Sequence, residues 1–225
     1  MTTDAPTEGF LAELSPRELE VLHSLARRRR YKRGSTLFNE GDSSDWVVVV
    51  LKGRVKVSSF TSEGKEIVLA LREPGALLGE LAALDGQPRS ATVSALDPVE
   101  ALMVSGDDFR AFLQAAPQAS LRLLQMLTRR LRDADRKRIE FGAYDTVGRV
   151  ALRLLELAER FGEAMPEAGV RISLSLSQEE LAGWVGSSRE AVNKALGALQ
   201  RHGWIETHRR RINVLDPEAL RRRAT

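Results

Sequence analysis

Glycine spacing is the strongest constraint on the first half of this chain. Gly41, Gly53, Gly64 and Gly75 recur 12, 11 and 11 residues apart and separate the runs WVVVVL, RVKVSSF and EIVLALR. The runs are rich in β-branched residues, and Val55 and Val57 keep the period of two expected of a strand. VEALMV, after the Asp97-Pro98 turn, reads as a closing strand. Short strands at such spacing predict a β-sandwich or barrel.

From Asp107 to Phe141 the pattern changes. Pro117 is the only proline there, and Leu124, Leu127, Leu131, Ala134, Arg138 and Phe141 alternate steps of three and four. That is an a/d seam with one basic exception. The opposite face carries Arg129, Arg130, Arg132, Arg136 and Lys137. The stripe could pack on its own β-domain; the basic opposite face favours a homodimer seam.

A second segment follows Phe141-Gly142. Asp145 is placed to cap VGRVALRLLELAERF, which ends at Gly162. Ser177 with Glu180 forms a capping box for a short helix that Gly186 closes. Ser187 or Ser188 then caps REAVNKALGALQRHG, and WIETHRRRINVL reads as a small hairpin. Together these parts predict a winged helix-turn-helix. Any αα-hairpin can carry such caps, but Arg189, Glu190, Asn193 and Lys194, expected to be exposed at the start of the second helix, favour DNA. Arginine and lysine donate to guanine, and glutamate accepts from cytosine.

Charge agrees with that expectation. The chain of 225 residues has a net charge of +3, and from Arg171 onward ten Lys/Arg stand against six Asp/Glu. A basic segment attracts polyanions. With no cysteines and only His23, His202 and His208, thiolate zinc sites, iron–sulfur clusters and disulfides are excluded and no metal centre is expected. No nucleophile–base pair appears, so no catalytic site or enzymatic cofactor is expected. The N-terminus lacks the pattern of a signal peptide, and no apolar run approaches the ~20 residues of a membrane span, so a cytoplasmic location is expected.

One stretch remains, GELAALDGQPRSA from Gly79 to Ala91. A carboxylate follows a glycine inside an apolar run, and an arginine and a serine come shortly after. From the residues alone, a Glu80–Arg89 ion pair stapling two strands and a ligand-binding pair stand level.

Taken together, Gly79-Glu80-Leu81, Arg89-Ser90-Ala91, Val147-Gly148-Arg149 and the segment from Ser188 to Leu196 give the chain a close resemblance to the CRP/FNR family of bacterial regulators, in the actinobacterial CRP branch. The resemblance covers about Phe10 to Leu220. It implies an α+β fold: an N-terminal cyclic-nucleotide-binding β-roll (jelly roll), a long dimerisation helix and a C-terminal winged helix-turn-helix. The domains would be 1–142 and 143–225. It also implies that Gly79, Glu80, Leu81, Arg89, Ser90 and Ala91 form a phosphate-binding cassette for an effector nucleotide, cAMP first among them. Arg89 and Ser90 would meet the phosphate, and Glu80 the ribose 2′-OH. The family reads the base with two hydroxyl residues on the long helix. Here those positions are Ala134 and Asp135, a departure that opens cGMP, a cyclic dinucleotide or nucleotide-independent action as alternatives. DNA contacts are implied for Ser177, Ser187, Ser188, Arg189, Glu190, Asn193 and Lys194, and for the wing residues Arg209, Arg210 and Arg211. The implied partners are a palindromic DNA operator, a second copy of the chain and RNA polymerase.

Overall fold

Four consecutive valines, Val47 to Val50, are fully buried. A computed structural model, which describes residues 9–165, 169–174, 176–208 and 211–224, explains why they show no alternation. Val47 and Val49 belong to one core and Val48 and Val50 to another, on opposite faces of the same strand. A strand covered on both faces has no polar side to display. Each such valine contributes about 1.5–3 kcal/mol of burial.

The elements run in chain order. Helix α1 (Pro16–Leu25) is followed by β1 (Arg27–Tyr31), β2 (Thr36–Phe38), β3 (Val47–Lys52), β4 (Val55–Phe60), β5 (Glu66–Arg72) and β6 (Leu77–Leu78). Next come α2 (Glu80–Asp85), β7 (Thr92–Ala95), β8 (Val99–Val104), α3 (Gly106–Ala115) and the long α4 (Pro117–Ala143). The remainder is α5 (Thr146–Phe161), β9 (Gly162–Ala164), β10 (Val170–Ile172), α6 (Gln178–Val185), α7 (Arg189–Arg201), β11 (Ile205–His208), β12 (Arg211–Val214) and α8 (Pro217–Arg223). Among the described residues no helix is long and apolar enough to cross a membrane.

Two antiparallel sheets, ordered β1-β8-β3-β6 and β2-β7-β4-β5, form a β-roll. Phe38, Val48, Val50, Val55, Val93 and Ala101 fill the space between them. The outer face of the first sheet packs instead on helices, through Val47, Val49, Leu77, Leu102 and Val104 against Leu22, Phe109, Phe112, Leu123 and Met126. Strand β1, with the sequence RRRRY, gives no apolar signal, yet it pairs in register with β8 from Arg27↔Met103 to Tyr31↔Val99. It is an edge strand, and exposed charge is compatible with an edge.

The stretch of helical spacing from Asp107 to Phe141 is built as two helices, α3 and α4. Ala116 leaves helical geometry, and Pro117 opens α4, where its missing N–H costs no helical bond.

The chain divides into two compact units, Met1–Ser59 with Leu69–Arg132 and Phe60–Val68 with Asp133–Thr225. In the second, Asp145 caps α5 by accepting from the Gly148 N–H at 2.8 Å. Helix α5 buries Val150, Ala151, Leu154 and Leu157, and α7 buries Val192, Ala195, Leu196 and Leu199. The sheet β11-β12-β10-β9 completes a winged helix-turn-helix.

Candidate functional site

Glycine brackets α2. Gly79, at φ 77°, is its N-cap and Gly86, at φ 69°, its C-cap, left-handed values that only glycine takes freely. The short helix turns Glu80 inward to 5% exposure and leaves Leu81 facing outward.

Arg89 is 2% exposed. Its Nε donates to Ser44 Oγ at 2.8 Å, its Nη1 to the Gly79 carbonyl at 2.9 Å and its Nη2 to the Trp46 carbonyl at 2.5 Å. The guanidinium carbon lies 4.3 Å from the centre of the Phe38 ring and 4.9 Å from that of Trp46. A Cβ at Gly79 would run into Nη1. Burial pushes the Arg89 guanidinium below its ordinary pKa, and the charges of Asp45, Glu80 and Asp42 oppose that shift. Three of the five guanidinium N–H groups are committed, leaving two for an anion. Ser90 is exposed and Ala91 buried.

Glu80 and Arg89 do not form an ion pair, so a direct staple between them is not what this segment builds. The partner of Glu80 is Arg130 on α4. Arg130 Nη1 donates to Glu80 Oε1 at 2.7 Å, and its Nη2 donates to the Leu77 carbonyl at 2.8 Å. By sequence alone Arg130 falls on the basic face of the helix. Nothing in the local pattern separates it from Arg129, which pairs with Glu13.

Along α4, Leu124 and Leu131 are 61% and 63% exposed, while Leu127 packs on the core of its own unit. Ala134 and Asp135 are exposed, and Asp135 Oδ1 lies 4.0 Å from Arg138 Nη1. Phe141, expected as the last member of the seam, is engaged within its own chain. It abuts Gly186, where a Cβ would strike its ring, and the Arg149 guanidinium lies 5.4 Å from its centre. Arg149 also donates to the carbonyls of Tyr144 at 2.8 Å and Val185 at 3.1 Å, tying the start of α5 to the end of α6.

In the helix-turn-helix, Ser177 and Glu180 form a reciprocal capping box over 2.7 and 3.1 Å. Gly186 ends α6 in the left-handed region, and Ser188 rather than Ser187 caps α7 through the Ala191 N–H. The Ser187 hydroxyl lies 3.4 Å from that of Thr146. Arg189, Glu190 and Lys194 are exposed on the opening turns of α7, and Arg189 Nε reaches Gln178 Oε1 at 3.4 Å. Asn193 departs from expectation. It is half-buried, and its Oδ1 is buried with no partner. With Leu196, Gly197 and Gln200, three, four and seven residues on, it lines a cavity of this unit. Arg211 is exposed at the start of β12, while Arg209 and Arg210 lie outside the described residues.

Comparison with known proteins places these parts in a known order. Residues 28–116 match the cyclic nucleotide-binding domain family, and residues 148–223 match the Crp-like helix-turn-helix domain. The chain is 34% identical over 216 residues, 96% of each protein, to a CRP-like cAMP-activated global transcriptional regulator of Mycobacterium tuberculosis. It is 32% identical to the cyclic AMP receptor protein of Thermus thermophilus, over 85% of each. Among solved structures, the c-di-GMP responsive global regulator of Xanthomonas campestris has the same fold, with a TM-score of 0.82 at 23% identity over 89% of this chain and 99% of that one.

Proposed function

The chain belongs to the CRP/FNR family of transcription regulators, and from that membership we propose that it is a cytoplasmic, non-enzymatic homodimer that binds a palindromic operator under control of a cyclic nucleotide. A cyclic-nucleotide-controlled DNA-binding regulator is the statement its relatives support directly. The domains are proposed as 1–142 and 143–225, and RNA polymerase as a further partner.

The carrying observation is the ion pair between Glu80 and Arg130, because it ties the nucleotide cassette to α4. In the proposed complex the two uncommitted N–H groups of Arg89, with Ser90, meet the cyclic phosphate. Glu80 accepts from the ribose 2′-OH, and Ala134 and Asp135 face the base. A ligand hydroxyl at Glu80 competes with Arg130 and so biases α4, whose exposed Leu124 and Leu131 form the dimer seam. The two recognition helices then settle about one DNA turn apart, ~34 Å. Arg189, Glu190 and Lys194 read base edges. Ser177, Ser187, Ser188 and Arg209 to Arg211 meet phosphates.

The effector is proposed to be cAMP, as the names of the Mycobacterium and Thermus relatives support. Calorimetry of the full chain against cAMP, cGMP and cyclic di-GMP, each followed by operator binding, tests this. Saturable cAMP binding that raises operator affinity is the expected result. No binding of any of the three would overturn it.

One observation favours a second reading, a regulator that acts without a nucleotide. Arg89 already donates to Ser44, Gly79 and Trp46 with no nucleotide present. Operator binding at full affinity in nucleotide-free protein would decide for it.

A further inference from the structure

The segment from Gly79 to Ala91 does not hold Arg89 alone. The loop between β2 and β3 supplies two of the three acceptors for its guanidinium, Ser44 Oγ and the Trp46 carbonyl. The Arg89 backbone is tied to the same loop: its N–H donates to the Asp42 carbonyl at 3.0 Å, and its carbonyl accepts from the Gly41 N–H at 2.8 Å. Phe38 and Trp46 meet edge to face with ring centres 5.5 Å apart, and the guanidinium lies against both. It cannot turn without giving up these contacts, so its Nε stays on Ser44.

Ser44 has a donor to spare. A serine hydroxyl offers one donor and two acceptor sites. Here the oxygen accepts from Arg89 Nε at 2.8 Å, and among the described residues the hydroxyl makes no other hydrogen bond. Ser44 is half-buried whereas Arg89 is 2% exposed, so the hydroxyl is the more accessible of the two. Accepting from a charged donor polarises the O–H bond and strengthens it as a donor in turn. Asp42 and Asp45, on the same loop, are exposed carboxylates that only accept, so neither can serve an anion.

We propose that Ser44 is a further binding residue of the nucleotide site, its hydroxyl donating to an exocyclic oxygen of the cyclic phosphate that Arg89 engages. The inference rests on the nucleotide reading of the cassette and extends that site to the β2–β3 loop. The phosphate then meets a charged and a neutral donor from two separate segments, and its binding fastens the loop to the cassette.

The test is calorimetry of the full chain with cAMP and with its two phosphorothioate diastereomers, in which sulfur replaces one exocyclic oxygen or the other. Sulfur is a weak acceptor, so the diastereomer that turns its sulfur to Ser44 should bind the wild-type protein more weakly than cAMP does. Ser44→Ala should lower cAMP affinity about tenfold, as loss of one hydrogen bond to a charged group predicts. It should also erase the penalty for that diastereomer and leave the ratio of the other to cAMP unchanged. Ser44→Thr, which keeps the hydroxyl, should retain both affinity and discrimination. If Ser44→Ala does not fold, Ser44→Cys, of similar shape but a weak donor, serves for the same comparison. An equal fall in affinity for all three ligands would reduce Ser44 to a support for Arg89 and overturn the proposal, as would unchanged affinities. Both of those outcomes leave the nucleotide reading standing, whereas failure of the wild-type protein to bind cAMP would remove that reading and this inference with it.

Discussion

Arg130 Nη1 lies 2.7 Å from Glu80 Oε1, joining the first residue of α2 to the middle of α4. The Glu80 side chain is nearly enclosed, whereas that of Arg130 keeps some contact with solvent. The pair is therefore asymmetric: removing the arginine strands a carboxylate with little access to water.

Arg130→Leu is accordingly expected to destabilise the protein by about 2 kcal/mol, below the 3–5 kcal/mol of a fully buried pair because Arg130 is partly solvated. Urea unfolding measures this. Glu80→Gln, which still accepts from Arg130, should cost less. If Arg130→Leu left the midpoint unchanged, the pair would be incidental to folding, and its proposed role in coupling would lose its footing.

Gly79→Ala tests how the cassette is held. The substitution places a Cβ against Arg89 Nη1 at a backbone conformation with φ 77°, so Arg89 must leave the Gly79 carbonyl. A folded variant with nucleotide affinity reduced at least about tenfold is expected, since charged hydrogen bonds contribute roughly 1.5–3 kcal/mol. Arg89→Lys should lose affinity as well, because a lysine cannot span the Ser44, Gly79 and Trp46 acceptors together. Wild-type affinity in both variants would remove Arg89 from the ligand site.

Arg189 and Arg211 test the proposed division between base reading and phosphate clamping. Arg189→Ala should cost ~1–3 kcal/mol at one base pair of each half-site and relax the preference there. Arg211→Ala should weaken every sequence alike and reduce the salt slope by about one. Binding-site selection followed by salt titration distinguishes the two, and identical profiles would contradict the assignment.

The pH dependence of stability has a definite sign at Asp145. Its carboxylate is held below its ordinary pKa, first by the Gly148 N–H and then by Arg223, whose Nη2 lies 2.5 Å from Oδ2. A depressed folded-state pKa contributes stability above the unfolded value of ~3.9 and loses it as pH falls through the folded one. Asp145→Ala should therefore cost about 1 kcal/mol near neutral pH, the usual worth of an N-cap, and flatten the acid limb of the stability curve. An acid limb identical to wild type would show that other carboxylates dominate it.

Much of the chain was legible because its signals are local. Ser177 and Glu180, Ser188 and Ala191, and Asp145 and Gly148 each act across three residues, so cap chemistry marks helix starts before any tertiary contact is known. The glycines between strands act in the same way, through their own φ. Strand β1 escaped because four arginines carry no apolar period; it is a strand because β8 offers it a partner.

The sequence by itself determined the order of the parts: a β-roll, a long helix, a capped helix pair and a hairpin, with Glu80 and Arg89 in one segment. Only the tertiary structure decided what those side chains hold. Arg89 finds its acceptors 10, 43 and 45 residues away, and Glu80 finds Arg130 at a separation of 50. The same arrangement turned Asn193 inward and drew Phe141 onto Gly186. The physical reason is reach. An arginine has a long, flexible stem and five donors, so its own sequence context is compatible with many partners. Which one it takes depends on the carbonyls and carboxylates that distant backbones bring within about 3 Å.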